Sequence, residues 1–154
     1  MGEVAAITTK SPELPACSTR FAATLDVLPE LRRFVRARLV EHSIETGEAD
    51  RLVLAAHETA ANIVRHALRD RPSDEFDVEV RFVAGGVTLR FVHAGSSFDP
   101  AGAPEPIFDG SREGGLGLFL IAACVDSVIY DQDDEGKNRI NLNRFLNRPA
   151  LVEP

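Results

Sequence analysis

The stretch His57-Glu58-Thr59-Ala60-Ala61-Asn62-Ile63-Val64-Arg65-His66-Ala67 decides how the rest of the chain is read. Leu52, Ala55, Ala56, Thr59, Ile63 and Ala67 recur at steps of three and four, which predicts a helix with that stripe turned to a core. Glu58, Asn62, Arg65 and Arg69 recur at the same steps on another face. A carboxylate and an amide one turn apart, followed by two guanidinium groups, can manage a metal ion and a phosphate. A solvated face holds the same four residues equally well, and the helix alone does not choose.

Outward from this helix, composition narrows the field. The chain has 154 residues, 44% hydrophobic and 27% charged, which suits one soluble domain with a real core. No apolar run reaches the roughly 20 residues that span a bilayer. The N-terminal stretch lacks a basic region followed by an apolar block, so no signal peptide is expected. Cys17 and Cys124 have neither a disulfide framework nor metal-ligand spacing, and reduced thiols in a cytoplasm are the expectation. A formal net charge of -7 without a Lys/Arg-rich block argues against nucleic acid as the main ligand. A nucleotide stays open, because phosphate sites are local.

Before the helix, residues 1–19 read as a tail and 20–27 as a short strand. Pro29 and Glu30 then open a helix, where proline fits the first turn and an acid suits the dipole. Leu31, Phe34, Val35 and Leu39 form its apolar stripe; Arg32, Arg33, Arg36 and Arg38 lie mostly off it, as a solvated basic face or, less simply, a docking face. Residues 45–48 read as a break, and the central helix as 49–68. Beyond it, 76–82 and 86–92 alternate apolar and polar around Ala84-Gly85-Gly86, a hairpin buried on one face. Residues 93–117 hold six glycines and three prolines, a loop of a length that usually carries function or stays disordered. It runs into 118–125, an apolar run that fits a buried helix. A second hairpin, 125–130 and 139–145, turns at Asp133-Asp134-Glu135-Gly136, and 147–154 reads as a tail. Hairpins without strict strand–helix alternation predict an α/β two-layer sandwich: a mixed, mostly antiparallel sheet with helices on one face.

Several constellations then carry chemistry. Mg²⁺ takes one or two protein oxygens and completes its octahedron with phosphates and water, a role the Asn62 amide oxygen suits. A neighbouring carboxylate, Glu58, can orient a hydroxyl for in-line attack on phosphorus. Ala61 stands where a zinc-protease helix needs its second histidine, so His57 packs or caps; His66, four residues after Asn62, lines a pocket or serves the structure. Gly114-Gly115-Leu116-Gly117 opens a helix, where free N–H groups approach an anion, but its spacing is neither a P-loop nor a Rossmann fingerprint.

In this order, the helix with Glu58 and Asn62, the hairpin, Gly95 with Phe98-Asp99, a lid-length loop and the glycine-rich helix start resemble the ATP-binding domain shared by gyrase, ninety-kilodalton heat-shock chaperones and sensor histidine kinases. Within that group the chain is most similar to the small anti-sigma-factor serine/threonine kinases, over residues 20–146. The resemblance implies that Glu58 is the general base, that Asn62 holds Mg²⁺, and that Gly114, Gly115, Leu116 and Gly117 wrap the phosphates of ATP. It implies that Gly95 and the Phe98-Asp99 pair sit beside the adenine, that 99–113 forms a lid, and that Arg112 reaches the phosphates. It implies a sigma factor and an antagonist protein as partners, with a homodimer as a further expectation. Two positions depart from the family. His93 stands where the family has an Asp that accepts the adenine amino group, and Ser97 where glycine is common. A neutral imidazole keeps one acceptor nitrogen and an imidazolium none. Three functions therefore compete: an ATP-dependent kinase acting on an antagonist protein, a non-catalytic binding module of the same fold, and a sensor kinase's catalytic half. The third lacks a phospho-accepting histidine on a preceding helix pair, and His42 is a poor candidate.

Overall fold

A computed structural model describes residues 17–71, 73–96 and 116–146. Strand β1 spans Ser18–Ala22; after a short 3₁₀ turn at Leu25–Val27 comes α1, Leu28–Glu41. Helix α2, Thr46–Asn62, continues as a π-helical turn, Ile63–Ala67. Strands β2, Glu75–Val83, and β3, Gly86–His93, form a hairpin, and α3, Leu116–Cys124, leads into β4, Ser127–Gln132, and β5, Asn138–Phe145. The strand order is β1-β2-β3-β5-β4, every neighbour antiparallel. The three helices pack side by side, α1 on α2 and α2 on α3, over one face of the sheet. The expected two-layer sandwich is what forms, with a sheet that is antiparallel throughout rather than mixed.

Alternation explains which side of the sheet is covered. Phe76, Val78 and Val80 of β2, Val87, Leu89 and Phe91 of β3, and Ile140 and Leu142 of β5 all point into the core. The register sets Phe76 opposite His93 and His93 opposite Asn138, so His93 and Asn138 take inward positions at the end of that row. Both are buried polar residues. Such residues persist when they are hydrogen-bonded or meet a ligand.

Three local readings need correction. The strand expected over 20–27 starts at Ser18 and ends at Ala22, because the chain bends there. Ala23 N–H donates to Asp74 O at 2.9 Å, and the Thr24 hydroxyl bonds the Asp26 carboxylate. The break expected over 45–48 is instead the start of α2. The Glu45 carboxylate accepts the Gly47 and Glu48 N–H groups at 2.9 and 3.0 Å, satisfying two otherwise orphaned donors. The helix expected to be buried, α3, buries only Ile121 and Cys124 and leaves Leu116 40% and Phe119 45% exposed. It lies at the end of the helical layer, against α2 on one side, so its apolar surround exceeds what the fold covers.

On α1, Arg33 and Arg36 are exposed, as a solvated face requires, and Arg36 pairs with Asp50 at 2.8 Å. Arg32 departs from it by reaching His57. No helix among the described residues is long and apolar enough to cross a membrane.

Candidate functional site

Helix α2 supplies one end of the site. Glu58 and Asn62 are half-buried, one turn apart, on the side that meets the start of α3. Gly117 is packed against them: a Cβ there would lie 3.1 Å from Glu58 Oε2 and 3.6 Å from Asn62 Oδ1. Glu58 and Asn62 lie 59 and 55 residues before Gly117 in sequence, and the fold brings the three together. The first turn of α3 begins at this point, and a helix N-terminus is a favourable place for an anion.

The π turn shapes the next part. Leu68 N–H donates to Ile63 O at 2.8 Å, five residues back, so the last turn of the central helix is wide. The wide turn keeps Ile63, His66 and Ala67 on the same wall as Thr59 and Asn62. His66 is exposed at that wall. Arg65 and Arg69 are exposed too and do not line it.

The other end is the turn after β3. Gly95 lies so close to the end of the π turn that a Cβ would sit 2.2 Å from Ala67 O, which only glycine permits. Four hydrogen bonds hold the turn. Gly95 N–H donates to His93 Nδ1 at 3.2 Å, Ser96 N–H to Ala67 O at 3.2 Å, Arg71 to Ala94 O at 2.7 Å, and Asn138 Nδ2 to Gly95 O at 2.6 Å. His93 is 2% exposed, and burial holds its imidazole below the ordinary histidine value.

Between the two ends lies a cavity of about 100 Å³. The α2 side contributes Thr59 to Ala67, α3 contributes Leu118 and Ile121, and the sheet contributes His93, Tyr130 and Ile140. Thr59, Asn62, His66, His93, Ser96 and Tyr130 bring polar groups to it, and Ile63, Ala67, Leu118, Ile121 and Ile140 line it with aliphatic surface. Tyr130, Ile140 and Asn138 were not among the sequence candidates. Their inward parity on β4 and β5 is the only signal that could have found them.

Of the residues singled out from sequence, the structure brings together Glu58, Asn62, His66, His93, Gly95 and Gly117 around this cavity, with Leu116 at the start of α3. Asp99, Arg112, Gly114 and Gly115, the Phe98-Asp99 pair, Ser97 and the lid-length loop lie outside the described residues. His57 stands apart from the cavity. It is half-buried between α1 and α2, and its Nδ1 accepts from Arg32 at 2.8 Å. Burial, then the Arg32 charge, pushes it below the ordinary histidine value, with Glu58 opposing.

The fit of a magnesium ion can be judged from the same geometry. Among the described residues no group of three or more His, Cys, Asp or Glu side chains could cage a metal. Mg²⁺ bound through phosphates needs no such cage, and one Asn oxygen beside a carboxylate, with a glycine that adds no side chain against either, is a donor set that fits it.

Comparison with known proteins bears on the family and the fold. The model of the family described as histidine kinase-like ATPase domain matches residues 21–143. The serine-protein kinase RsbW of Bacillus pumilus is 32% identical over 114 residues, 68% of this chain and 69% of that protein. The serine-protein kinase RsbW of Bacillus licheniformis is 34% identical over 110 residues, 65% of this chain and 66% of that protein. The chain thus spans about two thirds of the length of these relatives. Among solved structures, the RsbU and RsbW domains of a Mycobacterium tuberculosis protein superpose with a TM-score of 0.58 at 19% identity, covering 89% of this chain and 34% of that one. A SiaB–SiaC complex from Pseudomonas aeruginosa gives 0.57 at 13% identity, covering 82% and 87%. At these identities the structural likeness speaks for the fold.

Proposed function

The chain belongs to the histidine kinase-like ATPase family, and from that premise we propose that it is a Mg²⁺-dependent protein serine/threonine kinase of the anti-sigma-factor type. It takes the γ-phosphoryl group of a nucleoside triphosphate, ATP in the family, and passes it to a hydroxyl on an antagonist protein, while a sigma factor is its regulatory partner. The observation that carries this reading is the convergence of Glu58, Asn62 and Gly117 beside a cavity with aliphatic walls. The kinase names of relatives at 32% and 34% identity support the activity at family level.

In this reading Asn62 contributes an oxygen to the ion, and Mg²⁺ when bound neutralises charge on the phosphates. Glu58 accepts a hydrogen bond from the substrate hydroxyl and orients its oxygen toward the γ-phosphorus. The new O–P bond forms as the bridging bond to the β-phosphate breaks, and that phosphate leaves with the electron pair. The hydroxyl proton passes to the Glu58 carboxylate. A carboxylate is a weak base, so Glu58 acts mainly by orientation and electrostatics, in keeping with a loose transition state. Leu116 and Gly117 present backbone N–H groups at the phosphate end, joined in this proposal by Gly114, Gly115 and Arg112, while Asp99 belongs with Gly95 at the base end.

The purified protein, given Mg²⁺, a γ-labelled nucleoside triphosphate and candidate antagonist proteins, is expected to label a serine or threonine on one of them. Transfer that continues undiminished in Glu58→Ala and Asn62→Ala overturns the assignment of these residues. One observation favours a second reading, a regulatory module of the same fold that binds partners without phosphoryl transfer. It is the buried imidazole of His93 at the cavity, where the family has an acidic residue. Mg²⁺-dependent nucleotide binding by calorimetry would count against that alternative.

A further inference from the structure

The turn after β3 fixes how His93 presents its proton. A backbone N–H is only a donor, so the Gly95 N–H contact makes His93 Nδ1 the acceptor. In the neutral ring the proton is then on Nε2. Protonating the ring would not change this, because Nε2 carries a hydrogen in the imidazolium as well. The turn cannot easily offer the other tautomer, since Asn138, Arg71 and the Ala67 carbonyl each hold it by a hydrogen bond. The cavity therefore meets a hydrogen-bond donor at this end.

A second observation comes from the opposite wall. Thr59 lines the same cavity and is 3% exposed, and its Oγ1 is a buried atom with no hydrogen-bond partner among the described residues. Buried hydroxyls are normally paired, and one left over at a cavity wall marks a place for a ligand's polar group. Between Thr59 and His93 the walls are Ile63, Leu118, Ile121 and Ile140, apolar surfaces suited to the faces of a flat ring.

We propose that the cavity selects a purine bearing a carbonyl rather than an amino group at C6, so that the protein prefers a 6-oxopurine nucleoside triphosphate to its 6-amino counterpart. This rests on the nucleotide reading above and names the base. A C6 carbonyl accepts from Nε2–H. A C6 amino group sets two donors face to face at a buried position, where neither can turn to water.

Calorimetry on the full chain with Mg-ITP and Mg-ATP isolates the point, because the two nucleotides differ only at C6 and in the accompanying proton on N1. The expected result is ITP bound about tenfold or more tightly than ATP. His93→Asp replaces the donor with acceptors and is expected to reverse the order. Thr59→Val, nearly the same shape without the hydroxyl, is expected to weaken the favoured nucleotide severalfold. ATP bound as tightly as ITP by the unsubstituted protein overturns the proposal and leaves the nucleotide reading standing. An ITP-to-ATP ratio unchanged in a folded His93→Asp protein overturns the assignment to His93. Neither nucleotide bound at millimolar concentration, by a protein that still melts cooperatively, overturns both.

Discussion

The two ends of the cavity are built differently. At the α2–α3 end, the flexible ends of two side chains, Glu58 and Asn62, meet the Gly117 backbone. At the β3 end, His93 and Gly95 are tied into the backbone by hydrogen bonds and by a glycine pressed on a carbonyl. The first end is therefore free to be spent on chemistry, since little of the fold depends on it. The second is part of the fold, and whatever ligand it accepts must conform to a geometry that folding has already set. Change at the first end is expected to alter rate, and change at the second to alter stability and choice of ligand.

The sharpest way to break this contrast is a methyl group at each glycine. Gly95→Ala places a Cβ 2.2 Å from Ala67 O and 2.7 Å from Leu68 Cδ2, and the turn or the end of the central helix must move. Urea unfolding is expected to show a loss of about 3 kcal/mol. Gly117→Ala meets the flexible end of Glu58 and sits in a helix, where alanine is the better residue. Its stability is expected to stay within about 1 kcal/mol of the parent, while transfer drops by ten- to a hundredfold through displacement of Glu58. Equal losses of stability in the two variants would erase the distinction.

A second measurement stays at the chemical end. Glu58→Gln keeps the shape and removes the charge. Single-turnover transfer is expected to fall by about 10²-fold or more, with urea unfolding changed by less than about 1 kcal/mol. Asn62→Ala is expected to give a similar loss together with a weaker dependence on Mg²⁺ concentration. If either substitution instead lowers stability by several kcal/mol and leaves the rate alone, the polar pair belongs to the fold after all.

The same contrast governs what could be read before the structure was in hand. The strands of both hairpins show in the alternation of Phe76, Val78 and Val80 with polar neighbours, because a half-buried strand writes its two faces into successive residues. The start of α2 does not show, because Gly47 signals a break locally and only the Glu45 carboxylate over two N–H groups overrides it. In the site, Glu58, Asn62 and Gly117 are legible as residue types at informative positions. Gly95 is legible as a glycine, but its reason, the approach of Ala67 O, is tertiary. Thr59 reads only as one of a core stripe, and its unpaired hydroxyl exists only once α3 and the sheet enclose it. Tyr130, Ile140 and Asn138 have the right parity, yet nothing local says which strand positions will meet the end of α2. A site assembled from several elements is visible in sequence to the extent that each element carries a polar or glycine anomaly of its own.

The smallest expected effect is on pH dependence, and it separates His93 at the cavity from His57 at the α1–α2 contact. Burial holds both imidazoles below the ordinary value, and at His57 the Arg32 guanidinium adds to it while the Glu58 charge opposes. A base whose folded pKa is depressed adds stability that is full above its unfolded value, near 6.5, and is lost as pH falls from there through the folded value. The unfolded chain takes up protons that the folded chain refuses, so the unfolding free energy falls with acidification. For each imidazole the slope is at most about 1.4 kcal/mol per pH unit, the limit set by one proton. Urea unfolding across this range should show the decline, and His57→Gln, which still offers Arg32 an acceptor, should flatten part of it without moving nucleotide preference. His93→Asn should flatten the rest and change which base is bound. A His57→Gln protein that alters the ITP-to-ATP ratio as much as His93→Asn would show that the two histidines act as one unit, and that the base end of the cavity is not confined to the turn after β3.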